Sequence, residues 1–284
     1  MKKGFVGTCG LLIQTAFMAS CATETDPSSD APVQVGVEAC MAGSDRPPPY
    51  GTNGLSPACF WALGSQKALR YLGGRALSDV DGFLVSISTN DVPLACRDVL
   101  ERAVACALPP GVTLRDPVTS ADYQGWWGLA PSWEDGALDV SGRRYVTACL
   151  LQSLNATGTH VPILLEGPSP SIAADPDRDA LFAIAESTVF GDVFSSSVPL
   201  LPGLPLFAAF VCWEDALPQS CGPLGLPLLE QRICDDLPTC GLIPLGPCST
   251  LCAPSGPYWQ CPSDLLSPPW KQTVRVRLEA ISCQ

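Results

Sequence analysis

The chain has 284 residues, 46% of them hydrophobic and only 15% charged, with 16 Lys and Arg against 28 Asp and Glu and a formal net charge of −12. That composition excludes an intrinsically disordered chain, and the acidic balance excludes a phosphate backbone as partner, so no nucleic acid is expected. Twenty-nine prolines and 25 glycines predict many turns and irregular loops, and the length allows one large domain or a domain with an appendage.

In chain order, Lys2 and Lys3 precede an apolar run from Phe5 to Met18, which ends in Met18-Ala19-Ser20-Cys21. A short basic start, an apolar stretch and small residues before a cleavage point are the pattern of a secretory signal. With cysteine at the cleavage point, the stretch resembles the lipobox of bacterial lipoproteins. The resemblance implies cleavage before Cys21, a thioether-linked diacylglycerol on its sulfur and an acylated amine. The apolar run is too short to span about 30 Å of hydrocarbon. Without Lys2 and Lys3 the mature chain carries fourteen basic and 28 acidic residues, a net charge of −14. Anionic headgroups repel such a surface, so membrane contact is expected through the N-terminal lipid alone. Fifteen cysteines, less Cys9 and Cys21, leave thirteen. In an exported chain they read as a disulfide framework with at least one thiol left over.

Residues 1–20 are thus expected to be a signal peptide and 21–52 a flexible tether, rich in Ser, Thr, Asp and Pro, with Cys40 stapling it to the body. Residues 53–211 are expected to form an α+β body and 212–284 a cysteine-rich tail ending in a strand. Within the body, Asn53 to Ser78 reads as turns and helical pieces. A helix is predicted over Asn90–Leu108, capped by Asp91. Cys96, Val99, Leu100, Ala103, Cys106 and Ala107 form its apolar stripe, and Arg97, Asp98, Glu101 and Arg102 face water. Cys96 and Cys106 stand about 15 Å apart along such a helix and cannot bond to one another.

A short strand over Val112–Leu114 precedes an aromatic loop, Tyr123 to Trp133. The second helix is predicted over Ser141–Ala156, with Val146, Cys149, Leu150 and Leu154 inward. Packing the two stripes together predicts a Cys106–Cys149 disulfide. Val161–Glu166 reads as a strand, Asp175–Gly191 as a third helix with Leu181, Ile184, Ala185 and Thr188 inward, and Leu206–Cys212 as a buried strand. Gln272–Ala280 alternates Val274, Val276, Leu278 and Ala280 with polar residues, the mark of a half-buried strand. The expected fold class is α+β: two to three helices packed on a small, mainly antiparallel sheet, with a disulfide-rich irregular C-terminal region.

Ala105-Cys106-Ala107-Leu108-Pro109, Gly128-Leu129-Ala130-Pro131-Ser132-Trp133, Thr147-Ala148-Cys149-Leu150-Leu151 and the cysteine-rich tail with Leu245-Gly246-Pro247-Cys248 give the chain a likeness. It resembles an uncharacterised bacterial lipoprotein family over roughly residues 90 to 260. The resemblance supports the domain limits and implies no activity.

Candidate sites are few. Cys212, Cys221, Cys234, Cys240, Cys248, Cys252, Cys261 and Cys283 read, with Cys106 and Cys149, as disulfide partners. The spacing of Cys240, Cys248, Cys252 and Cys261 could suit zinc, but the CxxC knuckles of zinc sites are missing and export favours oxidation. Asp175, Asp177, Asp179 and Glu186 match four ligand positions of a calcium loop, yet Ala180 stands where its sharp turn needs glycine. An acidic first helical turn explains the same residues. Cys59 beside Trp61, with the single histidine His160, hints at a thiol hydrolase, against which Cys59 has many partners for oxidation. Trp126, Trp127 and Trp133 could stack on sugar rings or could line a hydrophobic lid. No metal or other cofactor and no catalytic residue is assigned. The expected function is that of a non-enzymatic, lipid-anchored cell-envelope or surface protein with a structural or adhesive role and an envelope glycan or protein as partner. A glycan- or polymer-binding module built on the tryptophan loop is the alternative, and a Cys/His hydrolase the third reading.

Overall fold

The computed structural model describes residues 50–52, 54–78, 90–156, 162–195, 209–214, 232–233, 241–262 and 269–279. The signal, the lipidation site Cys21, the tether with Cys40, the histidine His160, and Cys221, Cys234, Cys240 and Cys283 lie outside the described residues. Every described residue belongs to one compact unit spanning residues 46–284.

Six strands form the principal sheet: β1 (Tyr50–Thr52), β4 (Pro162–Glu166), β5 (Ile184–Gly191), β6 (Ala209–Trp213), β7 (Ile243–Pro247) and β10 (Val274–Leu278). Their order across the sheet is β1-β4-β10-β5-β6-β7, antiparallel except for the β6–β7 edge. Two small hairpins stand apart, β2 (Thr113–Arg115) with β3 (Asp122–Gln124), and β8 (Ala253–Ser255) with β9 (Tyr258–Gln260). The chain is α+β, as its pattern predicts. The C-terminal strand sits between β4 and β5, and residue 212 lies within β6. Among the described residues after 212, β7 and β10 belong to the same sheet as the strands of the expected body.

Four helices share the larger core on one face of the sheet. Ser56 caps α1 (Pro57–Trp61), its hydroxyl accepting from the Cys59 amide, and α2 (Leu63–Gly73) follows directly. In place of the continuous helix expected from Asn90, a 3-10 turn over Leu94–Cys96 leads into α3 (Asp98–Ala107). Asp98 and Glu101 occupy the first turn of α3, where its dipole favours anions. Pro109 and Pro110 prevent its extension. Arg97 and Arg102, expected in water, are buried. Asp139 caps α4 (Val140–Gln152) by accepting from the Gly142 amide at 2.6 Å. This helix stops at Gln152, short of the predicted Ala156, and Leu154 then bridges to Leu55.

Alternation along the strands divides two cores. Val274, Val276 and Leu278 of β10, Val189 of β5 and Ala209 and Val211 of β6 join Leu100, Ala103, Cys106, Cys149 and Leu150 in the helical core. Phe190 and Phe210 point the other way, into a second cluster with four cysteines.

The predicted helix over Asp175–Gly191 is corrected. Only Pro176–Asp179 is helical (α5), and Ile184–Gly191 is the strand β5, buried at every position. A strand buried on both faces shows no polar alternation. Its spacing of Ile184, Ala185 and Thr188 imitates a helical stripe, while Leu181, assigned to the interior, is exposed.

Candidate functional site

The aromatic loop is a helix cap. Five successive amides, those of Trp126, Trp127, Gly128, Leu129 and Ala130, donate to the carbonyls of Ala105, Cys106, Ala107 and Leu108. These carbonyls end α3, where no intrahelical partner remains for them. The indole Nε1 of Trp133 likewise donates to the Leu72 and Arg75 carbonyls at the end of α2, at 3.1 and 3.0 Å. Trp127 is 1% and Trp133 0% exposed, and Trp126 is half-buried against the same core. The sugar-stacking platform expected of Trp126, Trp127 and Trp133 is therefore corrected to a hydrophobic lid: two of its three rings have no open face.

Cys106 and Cys149 are bonded, joining α3 to α4. Cys59 is bonded to Cys96, the partner that Cys96 needed on another element. A sulfur held in a disulfide is no thiolate nucleophile, so the Cys59/His160 hydrolase reading is withdrawn. Cys212 is bonded to Cys248 and Cys252 to Cys261.

The calcium reading of Asp175, Asp177, Asp179 and Glu186 is also corrected. Asp175 caps α5, accepting from the Asp177 amide, and pairs with Arg178. Glu186 lies in β5 at the point where a bulge leaves it opposite no residue of β10. It is 1% exposed and receives Nε and Nη2 of Arg232, the latter at 2.6 Å. Arg232 also donates to the Gln152 carbonyl and side-chain oxygen, closing a buried network among α4, β5 and the segment at residue 232. No three of the four carboxylates meet.

One pair of acids that the sequence reading missed does come together. Glu166 ends β4 on the sheet face away from the helices and is 1% exposed. Its Oε2 accepts Nε and Nη2 of Arg275, at 2.8 and 2.6 Å, with Arg277 Nη1 at 3.9 Å. Its Oε1 and Oδ1 of Asp179 find no N–H or O–H donor. The two carboxyl groups can bond to each other only through a proton, and burial, reinforced by that bond to Asp179 against the pull of Arg275, raises the Glu166 pKa to about 7. Tyr258 closes the group. Its hydroxyl accepts from the Ala174 amide and its ring lies 5.8 Å from the Arg275 guanidinium. The group holds a proton near neutral pH. The burial of Glu166 keeps a substrate from its oxygens, so the proton serves to tie α5 to β4. Glu166 and Asp179 stand thirteen positions apart in different elements, and no spacing rule joins them.

A second buried acid is held charged. Asp116 takes Arg97 Nε and Nη2, the Tyr123 hydroxyl and the Val118 amide. Burial alone would raise its pKa; the hydrogen bonds from Arg97 and Tyr123 outweigh it and hold the carboxyl below its usual range. Among the described residues no helix is long and apolar enough to cross a membrane. Compared with protein-family models, with curated proteins and with solved structures, the chain matches none.

Proposed function

We propose that this chain is a lipid-anchored protein of the bacterial cell envelope, held to the membrane through an acylated Cys21, with a structural or adhesive role toward an envelope glycan or protein. The observation that carries the reading is that all eight cysteines among the described residues are joined in four disulfides. Such bonds persist in oxidising compartments and are rare in the cytosol. The signal-like stretch from Met1 to Cys21 supplies both the route out of the cytosol and the anchor. Burial of Trp127 and Trp133 removes the platform on which a stacked sugar would sit, and the Cys59–Cys96 bond removes the nucleophile of a thiol hydrolase.

The test is fractionation of cells making the full chain and its Cys21→Ala variant. The unsubstituted protein is expected in the membrane fraction, with an N-terminal peptide beginning at Cys21 and heavier by a diacylglycerol and an acyl group. The variant is expected in the soluble exported fraction with its disulfides intact. A native protein that keeps Met1, carries no lipid and has reduced thiols overturns the reading.

A further inference from the structure

On the sheet face away from the helices, at the β6 end, four cysteine sulfurs share one apolar pocket. Cys212 comes from β6, Cys248 opens the short helix α6 (Cys248–Leu251), Cys252 caps its end and Cys261 follows β9. Cys248 and Cys252 are one helical turn apart, so their side chains leave the same side of α6. Sγ of Cys212 and Sγ of Cys252 belong to different disulfides yet lie 3.9 Å apart. The sulfurs of Cys212, Cys252 and Cys261 all lie within 4.8 Å of one another, and Cys248 is bonded to the first of them. None of the four residues is more than 7% exposed, and Phe190, Phe210, Trp259 and Trp270 pack around them.

Among the described residues no other group of three metal-ligating side chains gathers so closely. A zinc–thiolate bond of about 2.3 Å sets neighbouring sulfurs of a tetrahedral site about 3.8 Å apart. The 3.9 Å separation of Cys212 and Cys252 already matches that edge. Opening the two S–S bonds frees four sulfurs; Cys212, Cys252 and Cys261 already stand within 4.8 Å of one another, and Cys248, bonded to Cys212, swings in by side-chain rotation to supply the fourth ligand.

We infer that the cluster has a second, reduced state in which Cys212, Cys248, Cys252 and Cys261 hold one thiophilic divalent cation such as zinc. A dithiol reductant passes two hydrogen atoms to each cystine and leaves as its own cyclic disulfide, giving four cysteine thiols. One divalent cation then displaces four protons and forms four metal–sulfur bonds, for a net charge of −2 at the site. Because α6, β6 and the β8–β9 hairpin supply the ligands, the cation braces the elements that the two disulfides brace in the oxidised state. Spacing groups Cys248, Cys252 and Cys261 but pairs them with Cys240; the ligand from β6, Cys212, lies 36 residues before Cys248 and is brought in only by folding.

The test uses the full chain reduced by a phosphine without oxygen and titrated with Co2+, then Zn2+. One equivalent of cobalt is expected to give a tetrahedral thiolate spectrum that zinc abolishes, and the oxidised protein is expected to give none. With zinc bound, Cys212, Cys248, Cys252 and Cys261 are expected to escape alkylation that labels them in the reduced, metal-free chain, while the half-buried Cys59 and Cys96 are labelled with and without zinc. Cys252→Ser is expected to lose the cobalt spectrum and Cys106→Ser to keep it. No thiolate spectrum, or protection spread evenly over all cysteines, overturns the inference. The alkylation map is read on the unsubstituted chain and decides the matter even where a variant does not fold.

Discussion

Glu166 shows how one buried proton makes stability depend on pH. Its folded pKa of about 7 stands above its ordinary value of 4.5 because burial and the bond to Asp179 favour the protonated form over the pull of Arg275. The folded chain therefore binds a proton that the unfolded chain gives up between these values. The stabilisation is complete below about pH 4.5 and is lost as the pH rises through about 7. Asp116 works in the opposite sense. Its lowered pKa contributes stability above its ordinary range, which is lost as the pH falls through the folded value. Denaturant midpoints are thus expected to fall between pH 5 and pH 8. In Glu166→Gln, whose amide mimics the protonated acid and can donate to Asp179, that fall is expected to shrink. Equal pH slopes for the two proteins would show that the pair shares no proton. Trp133 offers a simpler residue-scale test. Trp133→Phe keeps an aromatic ring against Phe194 but removes the donor to the Leu72 and Arg75 carbonyls. The Leu72 carbonyl keeps the Arg75 amide as donor, so the change removes hydrogen bonds without orphaning it, and the unfolding free energy is expected to drop by about 1 kcal/mol in a denaturant titration.

At the scale of elements, helix ends decide where loops go. The segment from Gly125 to Ala130 lies against the end of α3 because the helix's last carbonyls need donors and the segment's amides supply them. Gly125 permits the approach. A Cβ there would lie 2.3 Å from the Pro109 carbonyl oxygen and 2.8 Å from the Leu108 carbonyl carbon, both backbone atoms that cannot rotate away. Gly125→Ala is expected to lift the loop, expose Trp127 and cost about 2 kcal/mol or more. Tryptophan emission shifted to the red, with a lower denaturant midpoint, is the measurement; an unchanged spectrum would mean that the cap is not held by close approach. The same elements mark what was legible in the sequence. Both stripes that face the helical core, around Cys106 and Cys149, follow a helical period, so α3, α4 and the bond between them could be read from spacing. β10 alternates buried apolar residues with half-buried arginines and could be read from alternation. β5 has neither signal, since both its faces are buried, and its residues fit a helical template by accident. The tryptophans were visible as a group, but their task depends on helix ends that are close only in space. Glu166 and Asp179, and Cys59 and Cys96, are likewise joined by folding and by no local pattern.

At the scale of the whole molecule, the sheet carries covalent bracing on both faces. The Cys106–Cys149 bond lies in the helical core and closes a 43-residue separation, whereas Cys252–Cys261 lies on the opposite face and closes 9. If each bond acts mainly by limiting the unfolded chain, the longer closure contributes about 4 kcal/mol and the shorter about 2.6 kcal/mol. The paired variant Cys106→Ala/Cys149→Ala is therefore expected to lose more stability than Cys252→Ala/Cys261→Ala. Local packing argues in the same direction, because Cys106 and Cys149 are wholly buried between two helices and their loss leaves a cavity there, while Cys252 stands at the edge of its cluster. Urea unfolding of the two paired variants, each compared with the oxidised parent, measures the difference. The reverse order, with the nine-residue bond the more costly to remove, would mean that the cystines act through the native packing around α6 and the β8–β9 hairpin. In that event the second core, and not the helical face, would limit the stability of the sheet.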